Sequence, residues 1–214
     1  VPNIDVLLNA FVTLFVITDP IGNAPLFLGL TVGMSTALRR SIAVRGSIIS
    51  FCILTLFAIT GTSILDTIGI TIDAFRIAGG LLLFITAFEM IYGQRQERRE
   101  ETTSSAIAER AANLAVFPLA IPLLAGPGTI SATILLSSQF ASSSDASGWV
   151  GTFSLVAVIA VLMMITAGFL ITAELLDKYI GNTGKLVLTR LLGVLLAALS
   201  VQYIADGVLS FANH

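Results

Sequence analysis

The chain has 214 residues, of which 56% are hydrophobic and 11% charged, with a mean hydropathy of +0.96 and a formal net charge of −2. A water-soluble domain carries roughly 25% charged residues, so the composition excludes a soluble globular enzyme, and the few lysines and arginines, spread over short loops, exclude a nucleic-acid-binding surface. The single cysteine, Cys52, excludes an intrachain disulfide and a cysteine metal cluster, and the single histidine, His214, ends the sequence, so no metal site is expected.

A spanning helix needs about 20 mostly apolar residues. Six regions meet that length: 4–34, 40–62, 71–92, 112–138, 150–174 and 186–211. They are too many and too long for a signal peptide. The start at Val1 suggests a trimmed initiator, and no cleavable leader is expected.

The first region contains Phe15-Val16-Ile17-Thr18-Asp19-Pro20-Ile21-Gly22-Asn23-Ala24-Pro25. Asp19 lies about 21 Å along a helix from Asp5, and a carboxylate that deep in a bilayer is a functional candidate by default. Two roles are open for it. It can bind a coupling cation, a proton or a substrate ammonium, or it can cap a broken helix by accepting amides near Gly22 and Asn23. Gly29 and Gly33 have a GxxxG spacing that suggests close helix packing.

Arg39, Arg40 and Arg45 mark the passage into the second region. Arg76 opens the third, where it can pair with Asp66, Asp73 or a gate residue. Glu89 lies near that region's far end and can snorkel to the interface. The polar, charge-dense segment 93–111, with Arg95, Arg98, Arg99 and Arg110, reads as a linker between two halves. The fourth region carries Phe117-Pro118-Leu119-Ala120-Ile121-Pro122-Leu123-Leu124-Ala125-Gly126-Pro127, followed by Gly128, Thr129 and Ser131. An exterior turn is expected at Ser142-Ser143-Ser144-Asp145. Lys178 and Lys185 lie between the fifth and sixth regions, Arg190 opens the sixth, and Gln202, further along it, can hydrogen-bond to a neighbouring helix or a ligand.

The segments 1–5, 63–73, 139–149 and 212–214 contain no lysine or arginine. Basic loops on one side only are the positive-inside pattern, which places both termini outside. Phe15 falls on Phe117, Pro20 on Pro122 and Pro25 on Pro127, each 102 positions apart. Arg76-Ile77-Ala78-Gly79-Gly80-Leu81-Leu82 likewise resembles Arg190-Leu191-Leu192-Gly193-Val194-Leu195-Leu196. Regions 1–3 therefore correspond to regions 4–6. Three spans are an odd number, so the halves cross in opposite senses. The expected fold is an all-α integral membrane protein of six transmembrane helices, an inverted 3+3 repeat (1–92 and 112–214) with helices 1 and 4 broken at their Pro/Gly motifs.

Prolines lack the backbone donor, and a helix broken inside lipid survives only facing protein or water. Each break yields a carbonyl end (about 4–18 and 112–121) and an amide end (about 24–34 and 128–138). Carbonyls and amides so arranged suit a small zwitterion. The expected binding residues are Thr18, Asp19, Pro20, Gly22, Asn23, Pro25, Pro122, Gly126, Pro127, Gly128, Thr129 and Ser131. Asp19, Arg76, Glu89 and Gln202 are the coupling or gating candidates.

The strings Asp19-Pro20-Ile21-Gly22-Asn23-Ala24-Pro25 and Pro118 to Ser131 resemble the hallmark motifs of the MarC family of six-span prokaryotic membrane proteins. Phe75-Arg76-Ile77-Ala78-Gly79-Gly80 and Leu199-Ser200-Val201-Gln202-Tyr203-Ile204-Ala205-Asp206-Gly207 extend that resemblance over nearly the whole chain. It implies a transporter of the cytoplasmic (inner) membrane that moves small neutral amino acids such as glycine and alanine, coupled to a proton or sodium gradient. No cofactor is implied, and the partners are the zwitterionic substrate, the lipid bilayer and further copies in a homo-oligomer. The alternatives are a passive channel or facilitator and an efflux protein for another small solute. An intramembrane enzyme is not expected, because HExxH, Gly-x-Ser-x-Gly and paired midplane aspartates are all missing from the sequence.

Overall fold

The computed structural model describes residues 3–93, 114–142 and 148–212. The linker beyond Gly93, the turn at Ser143-Ser144-Asp145 and the terminal His214 lie outside the described residues. In chain order the elements are α1 (Ile4–Thr18), α2 (Pro20–Leu30), α3 (Thr36–Ile68) and α4 (Ile72–Tyr92). A widely wound helical segment, Ala115–Leu124, follows, and then α5 (Pro127–Ser142), α6 (Gly148–Ile171) and α7 (Ala173–Ala212). No strand occurs among the described residues.

Five stretches are long and apolar enough to cross a membrane: Ile4–Leu30, Thr36–Ile68, Ile72–Tyr92, Trp149–Ile171 and Leu186–Ala212. The pair Ala115–Leu124 and Pro127–Ala141, bent by 59°, meets the same test only when its two helices are taken together, and counts as a sixth span if it crosses as one. The outward surface carries large apolar side chains on every side, among them Leu56, Ile59, Ile85, Phe88, Phe153 and Leu195. Water would not tolerate so continuous a belt, whereas lipid tails solvate it.

Capping chemistry sets the helix ends. Ser35 Oγ accepts the Leu38 amide at 3.3 Å, so α3 starts at Thr36 rather than near residue 40. Thr71 Oγ1 accepts the Ala74 amide at 3.2 Å and starts α4. Gly69 and Gly93, at φ 81° and 80°, close α3 and α4 in the left-handed conformation. The basic stretch expected to connect the last two spans is instead helical from Ala173 onward, interrupted at Gly181 (φ 64°, ψ 172°). Polarity marked it as a loop, but lysine, leucine and arginine are good helix formers, and a polar stretch at an interface can be helical.

α5 is the central element. Its residues 131–137 are all buried, and it packs against α1, α3, α4 and α6. Three of its hydroxyls are satisfied within the helix: Thr133 donates to the Thr129 carbonyl, Ser137 to Ile134 and Ser138 to Leu135, each at 2.8 Å.

α4 and α7 form the most extensive helix pair, and glycines let their backbones approach. A Cβ on Gly80 would lie 3.0 Å from the Ser200 carbonyl oxygen, one on Gly193 2.9 Å from Met90 Cβ, and one on Gly207 3.1 Å from the Asp73 carbonyl oxygen. Gly80→Ala is therefore expected to destabilise the protein by about 1–3 kcal/mol through overpacking, read as a lower midpoint in thermal unfolding in detergent. Gly29→Ala is the control, because a Cβ there meets nothing within 4 Å. That open space also corrects the expectation for Gly29 and Gly33. They do not seat a neighbouring helix, and Gly33 (φ 77°) serves the turn after α2.

Candidate functional site

The first proline motif breaks its helix at one residue. Asp19 has φ 52° and ψ 64°, and is the single non-glycine residue with positive φ among the described residues. Its amide donates to the Phe15 carbonyl at 2.9 Å and closes α1. Its side chain accepts the Gly22 amide at 3.0 Å and opens α2, whose first residue is Pro20. Proline is well placed there, since the first helical position needs no backbone donor. The Asn23 amide donates to the Asp19 carbonyl at 3.0 Å, and Asn23 Nδ2 donates to the Thr18 carbonyl at 2.8 Å. The Asn23 side chain thus satisfies a carbonyl that a continuous helix would have given to residue 22.

The broken stretch is shorter than the motif. α2 begins at Pro20 instead of near residue 24, and Pro25 lies inside it, half-buried. Two of the amides expected to face a solute, those of Gly22 and Asn23, are already taken by Asp19. The close fit leaves no room for a side chain at position 22, where a Cβ would stand 2.7 Å from Asp19 Cγ.

The junction is polar and shielded. Thr18 and Asn23 are fully buried and Asp19 is 2% exposed. Thr18 Oγ1 has no hydrogen-bond partner. Most hydroxyls on these helices bond to a carbonyl one turn back, as Thr31, Thr86, Thr133 and Thr166 do. A buried hydroxyl without a partner forfeits about 1–3 kcal/mol of hydration and calls for an explanation.

The second motif breaks differently. Phe117 (φ −131°, ψ 126°) and Ile121 (φ −123°, ψ 123°) are extended, as residues before proline prefer to be. Both Phe117–Pro118 and Ile121–Pro122 are cis. The Ala125 amide closes the segment on the Ala120 carbonyl at 2.8 Å, and α5 starts at Pro127. Gly126 is buried with the Pro122 carbonyl oxygen 2.6 Å from where its Cβ would be. Pro122 and Pro127 are exposed, Gly128 is half-buried, and Thr129 and Ser131 are buried.

The two motifs meet. A Cβ on Gly128 would lie 3.5 Å from Ile17 Cγ2, so the amide end of α5 abuts the carbonyl end of α1, a favourable apposition of opposite dipole ends. Ala24, Leu26 and Phe27 of α2 share one buried cluster with Leu119, Leu123 and Leu124. The same Gly128 position is 3.4 Å from Thr86 Oγ1 of α4. Thr86 carries no signal in the sequence, because only the packing of α4 on α5 brings it there. Ser131 turns toward Gly79, whose Cβ would be 3.7 Å from Ser131 Cβ.

Of the coupling candidates, Glu89 sits half-buried one turn beyond Thr86. Arg76 is about 15 Å from Thr86 along α4, where its Nη1 stands 3.5 Å from Asp73 Oδ1. Gln202 is exposed, and its amide donates to Asp206 Oδ1 at 2.7 Å on its own helix. Neither Arg76 nor Gln202 is brought to the breaks. Glu174 pairs with Arg39, whose Nη2 also donates to the Thr31 carbonyl at 3.4 Å. No cluster of potential metal ligands occurs among the described residues.

Comparison with known proteins places this architecture. The family model "MarC family integral membrane protein" matches residues 4–212. A UPF0056 membrane protein of Archaeoglobus fulgidus is 37% identical over 202 residues, covering 93% of this chain and 90% of its own. The UPF0056 membrane protein YvbG of Bacillus subtilis is 33% identical over 207 residues (94% and 93%), and YhcE of Escherichia coli 33% over 201 residues (92% and 89%). No solved structure matches. With its apolar spans, its outward lipid-compatible belt and a match over almost its full length, the chain belongs to the MarC family of multi-pass integral membrane proteins.

Proposed function

We propose that the protein is a secondary transporter of small neutral amino acids, with glycine and alanine as the substrate class. The observation that carries this reading is the buried polar junction at Thr18, Asp19 and Asn23, set against the amide end of α5. Interrupted backbone deep in a spanning helix is tolerated where it is buried in protein or lines a water-filled cavity, and transporters place such breaks at their solute sites. Thr18 Oγ1 offers an unused hydrogen bond, Asp19 a carboxylate for an ammonium or a coupling cation, and the start of α5 a positive dipole end for a carboxylate. The close packing around the junction favours a small solute over a bulky one.

In this reading residues 1–92 and 112–214 are inverted halves. α3 corresponds to α6 and α4 to α7, and one half rocks or slides against the other around the two breaks. The basic ends face the cytoplasm, both termini lie outside, and the host membrane is the inner membrane of a prokaryote. The proton or sodium gradient supplies the drive, and the protein performs no covalent chemistry.

The test is uptake of labelled glycine and alanine by protein reconstituted in liposomes. The expected result is saturable, gradient-driven uptake that is accelerated by unlabelled substrate on the far side. Linear flux without that acceleration would instead indicate a channel or passive facilitator, and no flux of either amino acid would refute the substrate class.

A further inference from the structure

We infer that α3 and α6 form a binding site for one anionic phospholipid, separate from the breaks. A groove of about 250 Å³ runs between the two helices on the outer surface of the bundle. Its walls are Val44, Ile48 and Phe51 of α3 and Met163 and Met164 of α6, with Ser47 also lining it. Methionines adapt to a flexible chain, and the apolar walls fit an acyl tail.

Ser47 makes the groove more than an apolar crease. The residue is 4% exposed, yet its Oγ has no hydrogen-bond partner. Its neighbour Ser50 donates to the Gly46 carbonyl at 2.9 Å in the usual way. A hydroxyl left unpaired at an apolar groove fits an acceptor carried by the occupant, and an ester carbonyl at the head of an acyl chain is such an acceptor.

Charge supplies the third element. Arg40, Val44, Ser47 and Phe51 follow one another at spacings of four, three and four residues, on one face of α3. Arg40 therefore stands about 10 Å along the axis from Ser47, beyond the Val44 end of the groove. Arg45, two residues from Ser47, projects from the opposite side of α3 and does not face the groove. Arg40 is exposed and forms no ion pair among the described residues, whereas Arg39 is engaged by Glu174. A guanidinium at the interface, a hydroxyl about 10 Å deeper and apolar walls that continue past it match the phosphate, ester and tail of a diacyl lipid. The phosphate selects an anionic headgroup, since a zwitterionic one presents a compensating ammonium to the same arginine.

Native mass spectrometry of the detergent-solubilised protein, titrated with phosphatidylglycerol or phosphatidylcholine, tests the inference. The wild type is expected to retain one phosphatidylglycerol with about fivefold preference over phosphatidylcholine, as one interfacial arginine warrants. Arg40→Gln, at an exposed position, should abolish the preference without loss of the folded species, and Arg45→Gln should leave it unchanged. Ser47→Ala should weaken both lipids alike, and Ala167→Phe, which fills the groove, should remove the bound lipid. Equal retention of the two lipids by the wild type would overturn the site. So would displacement by inorganic phosphate, which would leave a bare anion site, or a groove occupied by a second copy of the chain, seen as a dimer without lipid. If Ala167→Phe does not fold, the wild-type preference and the Arg40→Gln variant still decide the matter.

Discussion

Asp19→Asn is expected to leave the protein folded and to cut gradient-driven amino-acid uptake by at least about tenfold, the scale at which ionisable groups inside membranes act. Asparagine is nearly isosteric, its side-chain oxygen can still accept the Gly22 amide, and it tolerates the left-handed backbone that Asp19 adopts. Only the charge is lost. Concentrative uptake in proteoliposomes and the unfolding midpoint, measured on the same preparation, separate the two roles of Asp19. Reduced uptake with an unchanged midpoint assigns the carboxylate to coupling or substrate binding. Unchanged uptake reduces Asp19 to a helix cap. Asp19→Ala should lower both, since it removes a cap contribution of about 1–2 kcal/mol and strains the backbone further.

Gly126→Ala is expected to produce the largest structural effect of any single methyl group at the site. The added carbon would stand 2.6 Å from the Pro122 carbonyl oxygen, and a backbone carbonyl between two breaks cannot rotate away as a side chain can. Destabilisation of about 3 kcal/mol or more is expected from overpacking against fixed backbone. Heating followed by size-exclusion chromatography in detergent would register it as early loss of the monodisperse peak. An Ala variant as stable as the wild type would mean that the Ala115–Leu124 segment relaxes easily, and the second break would then not be a rigid part of the site.

The spans were legible in the sequence because length and hydropathy decide membrane crossing, and a bilayer leaves few other solutions. Asp19 and Pro20 were legible for a related reason: a carboxylate beside a proline has no place inside an ordinary spanning helix. The extent of the break was not legible. Pro25 suggested a wider interruption, but α2 tolerates it five residues after its own start. The stretch around Lys178 and Lys185 looked like a loop because polarity in a membrane protein marks an interface, and an interface can be helical. Residues joined only by packing left no trace. Thr86 reaches the second break through the fit of α4 on α5, and the unpaired state of Thr18 Oγ1 depends on which carbonyls surround it. For Arg76 the sequence offered several partners, and the nearest, Asp73 on the same helix turn, is the one 3.5 Å away.

Transport through the break requires water and solute to reach the junction at Thr18. The most direct test replaces the native thiol by Cys52→Ser, introduces Thr18→Cys, and follows modification by a membrane-impermeant thiol reagent in proteoliposomes with and without glycine. Modification from the aqueous phase is expected, slowed by at least about tenfold at saturating glycine. A folded variant that resists the reagent from both sides, or reacts at a rate that glycine does not change, would contradict it.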